Sequence, residues 1–293
     1  MDDIAQLQNL LTLTFVVSSM LAMGMGLTLR QILWPLRKVR RLIFPLIASF
    51  VVVPTAAILL ARLPIDPDFR LGILVLGSCA GAPFLLKLAD VARANVALGV
   101  GVLVLLVFGT SIYLPLVLPL LIGDVQVDAL AILGQLSLQM LLPLAVGLFA
   151  HSRYPEETEG LHPAVQAIAN VSLILLIALM LTANAREILQ MFGTGAISSI
   201  LALIGIGMLS GWLLGGRRRE NRATVALGTG HRNYAAAFVV ANGSFADRPN
   251  VFAFLAAAAA INMVMSFALA GELRRRHDKL AERERRAPAG APS

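Results

Sequence analysis

The chain carries one apolar run after another, each close to the length of a membrane-crossing helix, and two of these runs are broken in the middle by glycine, proline and charge. By hydropathy the runs fall roughly at 9–29, 43–62, 69–90, 96–122, 129–150, 164–185, 196–215, 222–242 and 250–271. A helix needs ~20 residues to span the hydrocarbon core, so the pattern predicts an all-α integral membrane protein with nine transmembrane helices. The interruptions are Gly77-Ser78-Cys79-Ala80-Gly81-Ala82-Pro83, running on to Lys87 and Asp90, and Gly228-Thr229-Gly230-His231-Arg232-Asn233. A bilayer holds no water at its centre to satisfy freed backbone groups, so such breaks survive only where they line a protected cavity. They mark a candidate substrate site.

Composition agrees with this setting. The chain is 58% hydrophobic and 14% charged, with mean hydropathy +0.79. Its net charge of +7 comes from short basic clusters between apolar runs, as in cytoplasmic membrane loops, and does not point to a nucleic-acid partner. Arg30, Arg37, Lys38, Arg40 and Arg41 follow the first run, and Arg217, Arg218, Arg219 and Arg222 open the eighth. Both loops are expected to be cytoplasmic. Loops of the opposite parity hold Asp66 and Asp68, Asp124 and Asp128, and Asp247. That parity puts the N-terminus outside and the C-terminus in the cytoplasm, for a multi-pass protein of the cell inner membrane whose first run is retained. The loop with Arg153, Glu156, Glu157 and Glu159 is cytoplasmic on this count yet acidic. The single cysteine, Cys79, excludes an intrachain disulfide, and no zinc spacing, Walker loop, dinucleotide fingerprint or nucleophile elbow occurs. No enzyme, cofactor or metal site is expected.

The third and eighth runs, which carry the breaks, lie five apart. Runs one to four then correspond to six to nine, and an odd offset places the two copies in opposite orientation, the pattern of an inverted repeat. The chain divides into one transporter domain over 1–272, with repeats near 9–122 and 164–271, and a basic cytoplasmic tail over 273–293. Discontinuous helices of such repeats cross near the midplane, where half-helix N-termini face anions and free carbonyls face cations.

Several stretches resemble the bile acid:sodium symporter family. Phe15-Val-Val-Ser-Ser-Met-Leu-Ala-Met-Gly-Met-Gly-Leu-Thr-Leu29 is similar to its "MGMGLTL" first-helix motif. Ser78-Cys79-Ala80-Gly81 followed by Ala92-Arg93-Ala94-Asn95-Val96-Ala97-Leu98 resembles its "CPGG" and "ARGNVALS" stretch, and Gly230-His231-Arg232-Asn233 stands where it commonly reads "GMQN". Pro54 and Pro143 also fall at family prolines, and the likeness covers about 9 to 272. The resemblance implies a panel and a core domain, with substrate and two sodium ions near the crossing of the broken helices. Against that pattern, Leu85-Leu86 stands for Ser-Asn, Gly228 for a glutamate, Gly99 for a serine, Leu103 for a threonine, Arg232 for a glutamine and Ser49 for another glutamine. A hard cation needs several oxygen donors, so sodium coupling at those positions is not expected.

The candidate substrate- and ion-binding residues are therefore Lys87, Asp90, Asn95, Gly228, Gly230, His231, Arg232 and Asn233. Arg232 lies about ten residues from each end of its run, ~15 Å from either surface at about 1.5 Å per residue, where a charge faces a partner or water. It replaces a coupling cation with a fixed charge, binds an anionic solute bidentately, or pairs internally with Asp90. Lys87 and Asp90, three apart, share a helix face and can pair with one another or carry protons, or they end the third span with Lys87 snorkelling to headgroups. His231 is either proton-linked or a hydrogen-bonded structural histidine. Asn95 and Asn233 shape the site or serve interhelical packing. Met20, Met23, Met25, Gly24, Gly26, 256–260 and Asn262 read as helix packing, and Trp34 and Trp212 as interfacial aromatics.

These readings converge on a secondary active transporter, of symporter type, that moves a small organic, anionic solute through the lipid bilayer by alternating access. The coupling ion is a proton or, against the lost ligands, sodium. The competing readings are a proton-coupled or arsenite-type inverted-repeat permease, and a non-transporting membrane sensor.

Overall fold

The computed structural model describes residues 2–28, 30–31, 39–123 and 128–286, and no strand occurs among them. Helix α1 (Asp2–Met25) is followed by α2 (Val39–Ile47), which passes through a π-helical turn, Ala48–Val52, into α3 (Val53–Leu60). A second π turn, Ser137–Leu141, joins α7 (Ala129–Leu136) to α8 (Leu142–Arg153). Each π turn lies just ahead of a proline, Pro54 and Pro143. A proline lacks the N–H for the i−4 bond and its ring crowds that carbonyl, and a widened turn absorbs both faults without breaking the helix.

The two interrupted runs are broken helices, as the sequence predicts. The first is α4 (Pro67–Ser78) and α5 (Leu85–Val91); the second is α12 (Arg219–Gly230) and α13 (Tyr234–Ser244). Between them come α6 (Val96–Leu121), α9 (Pro155–Ala183), the short α10 (Ala185–Gln190) and α11 (Ala196–Leu214), and the chain closes with α14 (Pro249–Arg286). Seven continuous helical stretches are long and apolar enough to cross a membrane. Their outward faces carry Leu116, Leu120, Phe149, Ile174 and Val264, an apolar exterior of the kind that lipid solvates and water does not.

Two boundaries depart from the hydropathy reading. The loop expected to hold Glu156, Glu157 and Glu159 is the opening of α9, which starts at Pro155 one residue after α8 ends. Pro155 is preorganised for a first helical position, and Glu156 and Glu157 in the first turn oppose the positive end of the helix dipole. Their charge serves the helix start, which is why it sits at odds with a loop-charge count. At the other end α14 runs past 271 to Arg286, where the sequence suggests a solvated extension. Ion pairs one turn apart, Arg276 with Glu272 at 2.7 Å and Arg274 with Asp278 at 3.9 Å, support this stretch. Asp66 and Asp128 are N-caps, accepting from Asp68 N and from Leu130 N and Ala131 N. Trp34, Arg37, Lys38, Asp124 and 287–293 lie outside the described residues, as do the side chains of Arg40 and Arg41.

Helix α1 packs against α8 and α9, while α12 packs against α11 and α14 touches both halves of the first broken helix. The α1–α8 contact closes at Gly24 and Gly147, where a Cβ on either would come within 2.4 Å of the other helix's carbonyls. Small residues let membrane helices approach to van der Waals distance where no hydrophobic force drives them together. Met20, Met23 and Met25 are buried beside this seam as apolar filling.

Candidate functional site

Both breaks begin the same way, with one extended residue after the last helical one: Cys79 at φ −90°, ψ 106° and His231 at φ −85°, ψ 108°. In the first break Gly81 follows at φ +82°, and a Cβ there would lie 2.6 Å from Val107 N. Only glycine meets both the left-handed backbone and the close approach of α6. Thr110, on α6, holds the turn: its hydroxyl accepts from Ala80 N at 3.0 Å and donates to Ala80 O at 2.8 Å. The freed backbone of the break is thus satisfied from inside the bundle, as a bilayer requires.

The second break crosses the first in direct contact. Asn233 N donates to Cys79 O at 3.3 Å, and Asn233 Nδ2 donates to Ala80 O at 3.3 Å and Gly81 O at 2.9 Å. Its Oδ1 accepts from Ala236 N at 3.1 Å and caps α13. The residue is fully buried, and it locks the register of the two breaks.

Arg232 is also fully buried and reaches back into the ends of two half-helices. Nε donates to Leu76 O at 3.1 Å, Nη2 to Gly77 O at 2.6 Å and Nη1 to Thr229 O at 3.2 Å. Leu76 and Gly77 end α4, and Thr229 ends α12. A helix C-terminus carries about −0.5 of an elementary charge, so two converging C-termini present about one negative charge, which a single guanidinium balances. Gly230 O is taken by Asn262 Nδ2 at 2.8 Å, so the packing role read for Asn262 is a cap on the same helix end. His231 Nδ1 lies 3.1 Å from Ser266 Oγ, and its ring sits 5.7 Å from that of Phe84.

The remaining candidates lie elsewhere. Lys87 and Asp90 are exposed on α5 and make no side-chain ion pair among the described residues. Their shared helix face is an outer one. Of the alternatives read for them, pairing of Asp90 with Lys87 or with Arg232 does not occur, because backbone carbonyls meet the needs of the arginine. Asn95 caps α6 through Leu98 N at 2.9 Å and ties to the start of α12, Nδ2 donating to Asn221 Oδ1 at 2.9 Å. It braces the two broken segments at their basic end, away from the crossing. Gly230 sits against Met208, whose Cγ would lie 2.3 Å from an added Cβ. Gly228 faces Leu85, with Cδ2 3.0 Å from an added Cβ: the leucine fills the room that a side chain at 228 would need. The reading missed Thr110, whose signal is a hydroxyl pair, Thr110-Ser111, inside an otherwise apolar run.

A cavity of about 50 Å³ lies between the crossing and α1 and α9. Phe84, His231, Arg232 and Asn233 line it from the breaks, Ser19 from α1, and Gln166 and Asn170 from α9. Ser19 Oγ is buried there without a partner among the described residues.

The sequence model of the Sodium Bile acid symporter family matches residues 13–191. The chain belongs to this family. Among curated proteins it is 26% identical over 280 residues to "Probable sodium/metabolite cotransporter BASS1, chloroplastic" of Arabidopsis thaliana, covering 92% of this chain and 68% of that protein. It is 25% identical over 230 residues to "Probable sodium/metabolite cotransporter BASS3, chloroplastic" of the same plant, covering 76% and 53%. A bacterial relative, "Uncharacterized sodium-dependent transporter YocS" of Bacillus subtilis (strain 168), is 26% identical over 198 residues, covering 65% and 60%. The chain spans little more than half to two thirds of the length of these relatives. Their names are those of transporters, and none is that of an enzyme.

Proposed function

We propose that the protein is a secondary transporter that carries a small organic anion by alternating access, with Arg232 standing as a tethered cation where relatives would bind sodium. The observation that carries this reading is the guanidinium itself, donating to Leu76 O, Gly77 O and Thr229 O at the meeting of two half-helix C-termini. Those carbonyls are the groups that would otherwise attract a hard cation. The residues standing for the family's oxygen ligands, Leu85, Leu86, Gly99, Leu103 and Gly228, bring no side-chain oxygen.

On this reading the solute meets the cavity beside the crossing, where the N-terminus of α13 offers a positive helix end to an anion. The cavity holds about 50 Å³, which is small for an organic anion against the ~10–15 Å³ that a single water takes up on the same measure. On this reading admission of an organic solute requires α1 and α9 to part from the crossing. The inverted repeats over 9–122 and 164–271 supply that motion by rocking against each other, with the N-terminus outside and the C-terminal helix in the cytoplasm of a bacterial cell.

Uptake of candidate organic anions into proteoliposomes, with sodium replaced by choline, tests the proposal. Accumulation that is solute-specific and indifferent to sodium is expected. Transport that collapses without sodium overturns the tethered-cation reading, and saturable solute binding with no flux in any ion gradient overturns transport.

A further inference from the structure

A second and larger cavity, of about 550 Å³, opens at the basic end of the bundle, away from the crossing. Arg93, Arg219, Arg222, Arg276 and His277 line it, with Trp212 as an aromatic wall. Glu220 is the one carboxylate on the lining. Of its four guanidiniums, Arg93 and Arg276 have carboxylate partners in Asp278 and Glu272, while Arg219 and Arg222 make no ion pair among the described residues.

Local backbone geometry sharpens this. Helix α12 opens at the cavity with no side-chain cap on its N-terminus; Arg217 and Arg218 precede its first residue, Arg219, and Glu220 is the acid in its first turn. The positive end of the dipole favours negative charge there, and Glu220 supplies one against the three arginines at the helix start. Arg93 approaches from the turn between α5 and α6, held at φ +50°. Ala94 N bonds to Ala89 O and Arg93 N to Asp90 O, the Schellman pattern in which glycine normally takes the left-handed position. An arginine in its place projects a side chain that pairs with Asp278 of α14 at 2.8 Å.

The other cations are held in position with donors to spare. Arg222 lies 4.5 Å over the Trp212 ring and donates from Nε to Trp212 O at 2.8 Å, leaving both terminal nitrogens for another acceptor. Arg276 uses only Nε on Glu272. Arg219 makes no ion pair among the described residues. Planar guanidiniums match phosphate oxygens bidentately, and Leu273 and Leu280 give the hollow an apolar flank.

We infer that this cavity is a binding site for a phosphate oxyanion, presented either by an anionic lipid headgroup or by a soluble phosphate, which bridges α12 to the extension of α14. This site is independent of the transport reading. Its occupant joins the broken segment that carries Arg232 to the helix running out of the membrane, and so ties that segment down at its basic end.

Trp212 is a built-in reporter. The chain has two tryptophans, so the full-length protein with Trp34→Phe leaves only the one in the cavity wall. In one arm that protein is reconstituted in phosphatidylcholine vesicles with increasing phosphatidylglycerol. In the other it is held in phosphatidylcholine alone and titrated with potassium phosphate against potassium chloride at constant ionic strength. Trp212 emission is expected to change saturably in at least one arm. Saturation by phosphatidylglycerol assigns a lipid headgroup, and saturation by phosphate assigns a soluble ligand. Removing two charge-assisted contacts with Arg219→Gln and Arg276→Gln together should weaken that response by about tenfold or more, and Arg219→Gln alone by a smaller factor. Arg30→Gln with Arg186→Gln, a charge-matched pair outside the cavity, should leave it unchanged. No saturation in either arm, or equal weakening in the charge-matched pair, overturns the site.

Discussion

Replacing Arg232 by glutamine, the residue that the family motif this stretch resembles has there, tests whether a guanidinium stands in for an ion. Two buried carbonyls, Gly77 O and Thr229 O, lose their donor, while Leu76 O keeps a bond from Cys79 N at 3.2 Å. Leaving a buried acceptor unsatisfied costs ~1–3 kcal/mol each, and glutamine can recover one of the two, so a net loss of about 1–3 kcal/mol is expected in potassium or choline. The vacated space is bordered by the same carbonyls, and Ser78, next to Gly77 in the chain, and Thr229 carry hydroxyls that are buried without a partner among the described residues. These are oxygen donors of the sort that hard cations require. Sodium should therefore rescue the variant: at a hundredfold excess over its Kd a ligand stabilises by about 2.7 kcal/mol. Thermal unfolding of purified protein, in sodium, potassium and choline chloride, reads this directly. Arg232→Gln is expected to melt lower than wild type in choline and to recover in sodium, while wild type ignores the ion. A variant as stable as wild type, or one that sodium does not rescue, refutes the substitution of a tethered charge for an ion.

Three further outcomes follow from the packing around the crossing. Gly228→Ala brings a Cβ within 3.0 Å of Leu85 Cδ2, an overpacking worth about 1–3 kcal/mol; combined with Leu85→Ala, its cost in thermal unfolding should fall below the sum of the two single changes. Thr110→Val keeps shape but strips the hydroxyl from Ala80 N and Ala80 O, for a loss of about 2 kcal/mol and a drop in solute flux beyond what the lower protein yield explains. His231→Gln preserves a partner for Ser266 and removes the one titratable imidazole on the cavity beside the crossing. Folding should survive, and pH dependence of uptake, if a proton is the coupling ion, should be lost.

The breaks were legible because lipid makes them expensive: glycine, proline and charge in an apolar run have few physical explanations, and the structure places Gly81, Arg232 and Asn233 at one crossing. What the runs could not give is what faces each side chain. Lys87 and Asp90 sit three apart, and spacing alone puts them on a common face, but that face turns outward and neither reaches Arg232. Asn95 looked equivalent to Asn233, each preceding a helix, and both do cap one. Only the tertiary fold separates the asparagine that locks the crossing from the one that braces the basic end. Glu156 and Glu157 were weighed as loop charges and turned out to open a helix, a distinction that rests on where α8 stops.

The departures from the family pattern then form one physical change. Once the positive charge at the crossing is covalent, side-chain oxygens around it would be buried acceptors with nothing to bind, each a cost. If the resemblance is followed, Leu85 standing for a serine and Gly228 for a glutamate remove two such acceptors, and the leucine lies where a side chain at 228 would go. This also bears on what drives transport. A ligand shifts a conformational equilibrium only by its difference in affinity for the two states, and a coupling ion adds work because it binds on one side and leaves on the other. Arg232 holds the half-helix ends together as an ion would, but it cannot dissociate and so cannot draw on a gradient. On the proposed reading, the free energy for accumulation must enter elsewhere, as through a proton, and without such a source the solute only runs down its own gradient; His231 is the one imidazole among the residues lining the cavity.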